Sequence, residues 1–355
     1  MELKCPGALK DRVPLAVSVV PNGGPDQKQC VRPHNLLLVQ TTLPYGTRIH
    51  PNGSFAPPQS ASNSRRERFA VCLPALNTNY DMAERLVEWL EFNRLLGAKH
   101  VFFYNHTVGA RAAAVIESYR RGDLSRVAEE STPFNVSLLQ WQLPAAVDLH
   151  YFAQTAVLND CLLRAIRGFE YVVVADLDEF AVPHRQDLKT WHDLYERYFP
   201  RHPFAASYMF RSMFFFQSFS DDPTSARNAT IRALDVMPLL KTMHDGKLWS
   251  PYARSKYIAS TDLTETVATH QIRRVLPGAR LARHRGEAGP VHYAETHVLE
   301  PGDGLLHHYR VPFETPPKEG ARDRHVPDTY GDPLLRAVSL ARQRLHSLNV
   351  LQGRF

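Results

Sequence analysis

The chain has 355 residues, 44% hydrophobic and 22% charged, the balance of a globular enzyme of one large domain or two small ones, which excludes fibrous and low-complexity classes. Its formal net charge of +6 suits an anionic partner such as a diphosphate-bearing substrate, but the basic residues are scattered and interleave with aromatics on no single face, which argues against nucleic acid. Four cysteines, Cys5, Cys30, Cys72 and Cys161, lack the C-x-x-C spacing of zinc or redox sites, and a Cys5–Cys30 bridge is open to them in an oxidising lumen.

Residues 1–67 are rich in Pro, Gly, Asn and Ser and read as a stem-like lead-in, with residues 36–39 as an edge strand. The core begins at residues 68–74, an apolar strand. Asp81-Met-Ala-Glu84 has capping-box character, and the helix after it puts Leu86, Trp89, Leu90 and Leu96 on one stripe. Gly97 stops that helix and His100–Asn105 starts the next strand, completing a βαβ unit. A helix from Ala110 to Arg121, a short strand at residues 126–129 and a helix from Tyr151 to Ile166 follow.

Tyr171-Val-Val-Val-Ala175 then runs into Asp176-Leu-Asp178-Glu179-Phe180-Ala-Val-Pro183. An unbroken apolar run ending in carboxylates reads as a strand buried on both faces that reaches solvent at its carboxyl end, where ligands bind in open parallel sheets. Asp176 and Asp178, two apart on extended chain, are expected to point the same way, and two adjacent carboxylates call for a divalent cation.

Past Pro183 the pattern predicts an amphipathic helix over 188–199, an aromatic-rich strand over 205–216, a polar acidic loop at 218–224, and a loop at 242–249 carrying His244, Asp245 and Trp249. Residues 316–355 read as a C-terminal basic helical tail, with its helix over Pro333–Leu348 packing on the outside. Four N-x-S/T sequons, at Asn52, Asn105, Asn135 and Asn228, lean toward the secretory pathway. No run of 18 apolar residues is present, so a membrane anchor is expected outside this sequence.

The D-L-D-E-F-x-V-P segment resembles the D-x-D-E-F-x-x-P signature of glycosyltransferase family 92. The same family is matched by Glu88-Trp89 with Gly97, His100 and Tyr104, by Gln154 with Asn159-Asp160-Cys161, by Arg254-Ser-Lys256-Tyr-Ile258 with His270, and by His308-Tyr309-Arg310. The resemblance covers residues 68–315 and implies an α/β, GT-A type, Rossmann-like fold with a mainly parallel central sheet flanked by helices. It implies a metal-dependent, inverting transfer of galactose from UDP-galactose to a β-galactoside or N-glycan terminus, with β-1,4 linkage. It also implies residence in the Golgi lumen as a type II membrane protein, with a UDP-sugar donor and a glycan acceptor as partners.

Residue by residue, the resemblance implies Mn²⁺ bound by Asp176, Asp178 and His308, with His307 and His270 as alternatives, and donor contacts from Asn105, Lys256 and Arg310. The catalytic base is sought among Asp222, Glu179 and Glu265, with Asp221 and Asp245 also open. Two other classes compete. A metal-dependent hydrolase would need a two-metal ligand cluster such as H-x-D, which the sequence lacks. A carbohydrate-binding protein that has kept the fold would be free to lose Asp178 or the late histidine, and both are present.

Overall fold

The computed structural model describes residues 16–17, 37–38, 66–124, 134–143, 149–202, 205–276, 295–312 and 318–351. The chain divides into two compact units, residues 1–65 with 142–148, and residues 66–141 with 149–355. In the first, β1 (Ala16–Val17) pairs antiparallel with β2 (Leu37–Leu38). Cys5, Cys30, Asn52 and the expected strand at 126–129 lie outside the described residues.

The second unit opens with β3 (Glu67–Cys72), α1 (Ala83–Leu96), β4 (His100–Asn105), α2 (Ala110–Arg120), β5 (Asn135–Gln140) and α3 (Gln154–Ala165). Next come β6 (Phe169–Val174), β7 (Glu179–Pro183), α4 (Trp191–Asp193), β8 (Ala205–Phe216), α5 (Ala229–Leu234), α6 (Met237–Leu240) and β9 (Met243–His244). It closes with β10 (Lys256–Ser260), β11 (Thr264–Val267), β12 (Ile272–Val275), β13 (Glu295–Val298), β14 (Gly304–Arg310), β15 (Ala321–Arg322) and α7 (His325–Ser347).

Nine strands form one mixed sheet in the order β5-β4-β3-β6-β10-β8-β14-β7, with β13 also on β8. The half built from β3 to β6 is parallel, β10 runs against both its neighbours, and β7 runs against β14. Alternation along β3 feeds two cores. Phe69, Val71 and Leu73 pack with α1, α2 and α7, while Ala70 and Cys72 pack with Val157, Leu158 and Leu162 of α3. With both faces covered, these strands read as continuous apolar runs, and truncating Trp89, Phe92 or Phe103 would each cost about 3–5 kcal/mol.

The polar run Asn159-Asp160-Cys161 ties α3 to three elements in turn. Asn159 exchanges hydrogen bonds with the backbone of Val267, Asp160 accepts from the Tyr104 hydroxyl at 2.6 Å, and Cys161 is disulfide-bonded to Cys72. That last pairing had no signal in the spacing, since 89 residues separate the two cysteines.

Three local expectations change. Asp81 does not cap its own helix: its carboxylate accepts from Ala112 N at the start of α2, and it lies so close to Gly109 that any Cβ there would meet it at 2.4 Å. The helix expected over 188–199 is a short capped turn at Thr190–Asp193 followed by a π turn and a 3-10 turn that runs through Pro200 to Arg201. The C-terminal helix starts at His325, eight residues before Pro333, and buries Val326, Tyr330, Leu334, Val338 and Leu345 in the main core. An apolar stripe that wide outweighs the one hydrogen bond Pro333 removes.

Candidate active site

Strand β6 ends at Val174, and Asp176 and Asp178 lie on the tight turn that leads into β7. The turn is closed by Glu179 N donating to Asp176 O, and Trp89 Nε1 donates to that same carbonyl at 3.0 Å. The two carboxylates therefore do not stand side by side as on extended chain; each meets its own partner. Asp176 Oδ2 accepts from Lys256 Nζ at 2.9 Å, whereas Asp178 Oδ2 faces His308 Nε2 at 3.2 Å.

Lys256 and Glu179 join these halves. Lys256 is fully buried, and its ammonium also lies 3.3 Å from Glu179 Oε2, the oxygen that accepts from Asp176 N. Glu179 Oε1 is 3.2 Å from His308 Nδ1, because β7 and β14 pair with Glu179 opposite His308. Burial raises the Glu179 carboxyl to about 7 against the pull of Lys256. Burial lowers Lys256, but the Asp176 and Glu179 charges outweigh it and raise its pKa. For His308, burial is likewise outweighed by Glu179 and Asp178, so its pKa rises, and the His308 contact holds Asp178 below the usual carboxylate range despite desolvation.

The two aspartates differ in exposure. The Asp178 side chain is 45% exposed, so its carboxylate opens outward. Asp176 Oδ1 is buried and has no hydrogen-bond partner, an unusual and costly state for a carboxylate oxygen. Tyr80, on the loop after β3, stands within the field of Asp178, and burial together with that charge raises its pKa. The same loop holds Thr78 and Asn79 at φ of 51° and 54°, conformations that non-glycine residues rarely keep without a reason.

Beside the carboxylates lies a basic and aromatic surface. The Phe214 ring packs edge-on to His308 at 4.9 Å and against Trp249 at 5.2 Å. Arg310 lies 5.2 Å from the Phe214 ring, while Lys247 and Arg254 lie 3.7 and 5.6 Å from the Trp249 ring. Burial, and then the charge of Arg254, lower the Arg310 pKa against the opposite pull of Asp178 and Glu179.

The other expected residues make their contacts outside the carboxylate pair, although His270 lies within the field of Lys256 and Asp176. Asn105 ends β4, half-buried, with its carbonyl accepting from Trp141 N. Asp222 is buried in an ion pair with Arg324 and accepts from Ser225 N, and Asp221 pairs with Lys241. Glu265 is on the β11–β12 hairpin facing Arg274. His270 Nδ1 meets the Ser255 carbonyl at 3.0 Å, and His307 joins a separate cluster with His184 and Asp323. Among the described residues, no hydrogen bond or ion pair links any of these side chains to Asp176 or Asp178.

Sequence reasoning missed Trp89 as a support for Asp176, Tyr80, and the histidine cluster. Only Trp89 carried a signal, the Glu88-Trp89 pair, and its indole nitrogen needed a buried acceptor.

The model of glycosyltransferase family 92 matches residues 67–330. The beta-1,4-galactosyltransferase galt-1 of Caenorhabditis elegans is 30% identical over 118 residues, which span 33% of this chain and 25% of that protein. A solved structure described as a mycobacterial protein shares 13% identity over 84% of this chain and 80% of its own, with a TM-score of 0.29, too low to carry an argument.

Proposed function

The chain belongs to glycosyltransferase family 92, and from that premise we propose that it moves galactose from UDP-galactose, with inversion, onto a β-galactoside or N-glycan terminus through a β-1,4 linkage, on a GT-A type nucleotide-sugar fold. The observation that carries this reading is the Asp178–His308 pair, an oxygen and a nitrogen donor 3.2 Å apart at the open end of a buried charge network. The name of the galt-1 relative supports galactose as the sugar moved and the β-1,4 linkage.

The donor set fits a divalent cation of the manganese kind. Asp178 and His308 would hold it in place of the proton between them, and the orphaned Asp176 Oδ1 would accept a hydrogen bond from a water or a ribose hydroxyl. When bound, such an ion neutralises the charge that develops on the departing diphosphate. Arg254 and Arg310 add fixed positive charge for the same phosphates, preorganised by Trp249 and Phe214. Lys256 does not reach outward; it holds Asp176 and Glu179 in place from below.

Glu179 is consumed by Lys256, His308 and the Asp176 amide and acts as a positioning residue. Of the remaining carboxylates, Asp245 has the best claim to take the proton of the acceptor hydroxyl. Its amide donates to the carbonyl of Phe214, the ring that packs on His308, and it shares a loop with Trp249, a surface suited to a sugar face.

The Cys72–Cys161 bridge and the exposed sequons Asn135 and Asn228 support a Golgi-lumen location. No helix among the described residues is long and apolar enough to cross a membrane.

The test is UDP release and transfer with and without Mn²⁺, comparing UDP-galactose, UDP-glucose and UDP-N-acetylglucosamine on galactosylated acceptors. Metal-dependent turnover with UDP-galactose alone is expected. A folded protein that turns over no donor would favour the carbohydrate-binding alternative, and preference for another donor would overturn the galactose assignment.

A further inference from the structure

Behind β14, apart from the carboxylates of the active site, His184, His307 and Asp323 bring three ligand atoms together, the one such group among the described residues. The Nε2 atoms of His184 and His307 are 2.7 Å apart, and Asp323 Oδ2 lies 3.7 Å from the first and 3.8 Å from the second. Ligand atoms on one tetrahedral ion with metal–nitrogen bonds near 2 Å sit about 3.3 Å apart, a value these three distances bracket.

We propose that this cluster is a second metal site, holding a Zn²⁺ through His184 Nε2, His307 Nε2 and Asp323 Oδ2, with the fourth position left to water. The inference does not rest on the transferase reading.

Without an ion the arrangement is poorly satisfied. One imidazole can donate its N–H to the other, but neither comes within hydrogen-bonding distance of Asp323 Oδ2. Asp323 Oδ1 is already engaged by His325 N at 2.7 Å, which orients the other oxygen at the two rings. The rings themselves are fixed. Phe215 stacks on His307 at 4.5 Å, His325 stacks on His184 at 4.2 Å, and His307 Nδ1 faces the Tyr309 hydroxyl at 3.4 Å. Neutral imidazoles held by outer partners beside one carboxylate are a donor set that suits zinc.

The ligands come from three separate segments. His184 directly follows β7, His307 is within β14, and Asp323 precedes α7. An ion here would clamp those segments together and so fix the strand that presents His308 to Asp178.

The experiment is metal analysis by mass spectrometry of the full chain, purified without added metal and then dialysed against Zn²⁺ and desalted. About one zinc per chain is expected, retained in an Asp178→Asn/His308→Gln variant and lost from both Asp323→Asn and His184→Gln. Replacement by Co²⁺ should give the visible absorption of a tetrahedral centre in the wild type and in Asp178→Asn/His308→Gln alike. A chelator should lower Tm by about 5 °C or more. Wild-type protein that holds no zinc after dialysis overturns the proposal, as does zinc that stays in the Asp323 and His184 variants or leaves with the Asp178/His308 variant.

Discussion

Two neighbouring histidines in β14 show how one strand serves two different regions. His308 looks toward solvent-facing Asp178 and the Arg254–Arg310 surface, while His307 looks into a closed cluster with His184 and Asp323. Successive side chains on a strand point to opposite faces, so a single residue step separates the two environments. Their chemistry diverges accordingly: carboxylates raise the pKa of His308, and burial lowers that of His307. The lesson is that a His-His pair in a strand is two residues with two roles, and only the partner on each face tells them apart.

The sharpest way to break this contrast is to act on one face at a time. Asp178→Asn is expected to lower transfer by about a hundred- to a thousandfold or more while leaving the thermal unfolding curve nearly unchanged, since its side chain is half-exposed. An Asp178→Asn enzyme with wild-type turnover would remove the outward face from the mechanism.

Lys256→Met should act on stability. It leaves Glu179 and the inner side of Asp176 buried without their counter-charge, a loss of about 3–5 kcal/mol in urea unfolding. A loss below about 1 kcal/mol would mean that water replaces the ammonium there.

The inward face predicts a pH effect of definite sign in the metal-free protein. Burial lowers His184 to about 4, below its unfolded value of about 6.5. The unfolded chain thus takes up the proton first, and stability falls as pH drops from about 6.5 to about 4. His184→Gln should remove about 2–3 kcal/mol of that fall. His308 has the opposite sign: its raised pKa gives stability that is present below about 6.5 and lost as pH rises through the folded value. Urea titrations of His184→Gln and His308→Gln in chelator across pH 4 to 8 would show whether they tilt the profile in opposite directions.

The smallest expected effect is Trp249→Ala, about 1–2 kcal/mol of acceptor or donor binding, visible as a raised KM with kcat little changed. A change in kcat alone would place Trp249 in the chemistry instead.

The parallel half of the fold was legible in the sequence because its signals are local. Phe69–Leu73, the Leu86–Leu96 stripe, His100–Asn105 and Tyr171–Val174 each carry their own period, and Gly97 marks the helix stop. The D-L-D segment was legible as a place, at the end of a buried strand, but not as a geometry. The turn that sends Asp176 to Lys256 and Asp178 to His308 is set by partners 80 and 130 residues away. The same distance problem hid Cys72–Cys161 and the His184–His307–Asp323 cluster, none of which has any short-range spacing. Asp222 looked available in the sequence only because Arg324, 102 residues on, was out of view.

The most direct test of the central claim is calorimetric titration of UDP into the wild type, Asp178→Asn and His184→Gln, each with and without Mn²⁺. The account predicts that UDP binding requires Mn²⁺, is lost in Asp178→Asn and survives in His184→Gln. Binding that is indifferent to Mn²⁺, or unchanged in Asp178→Asn, would contradict it.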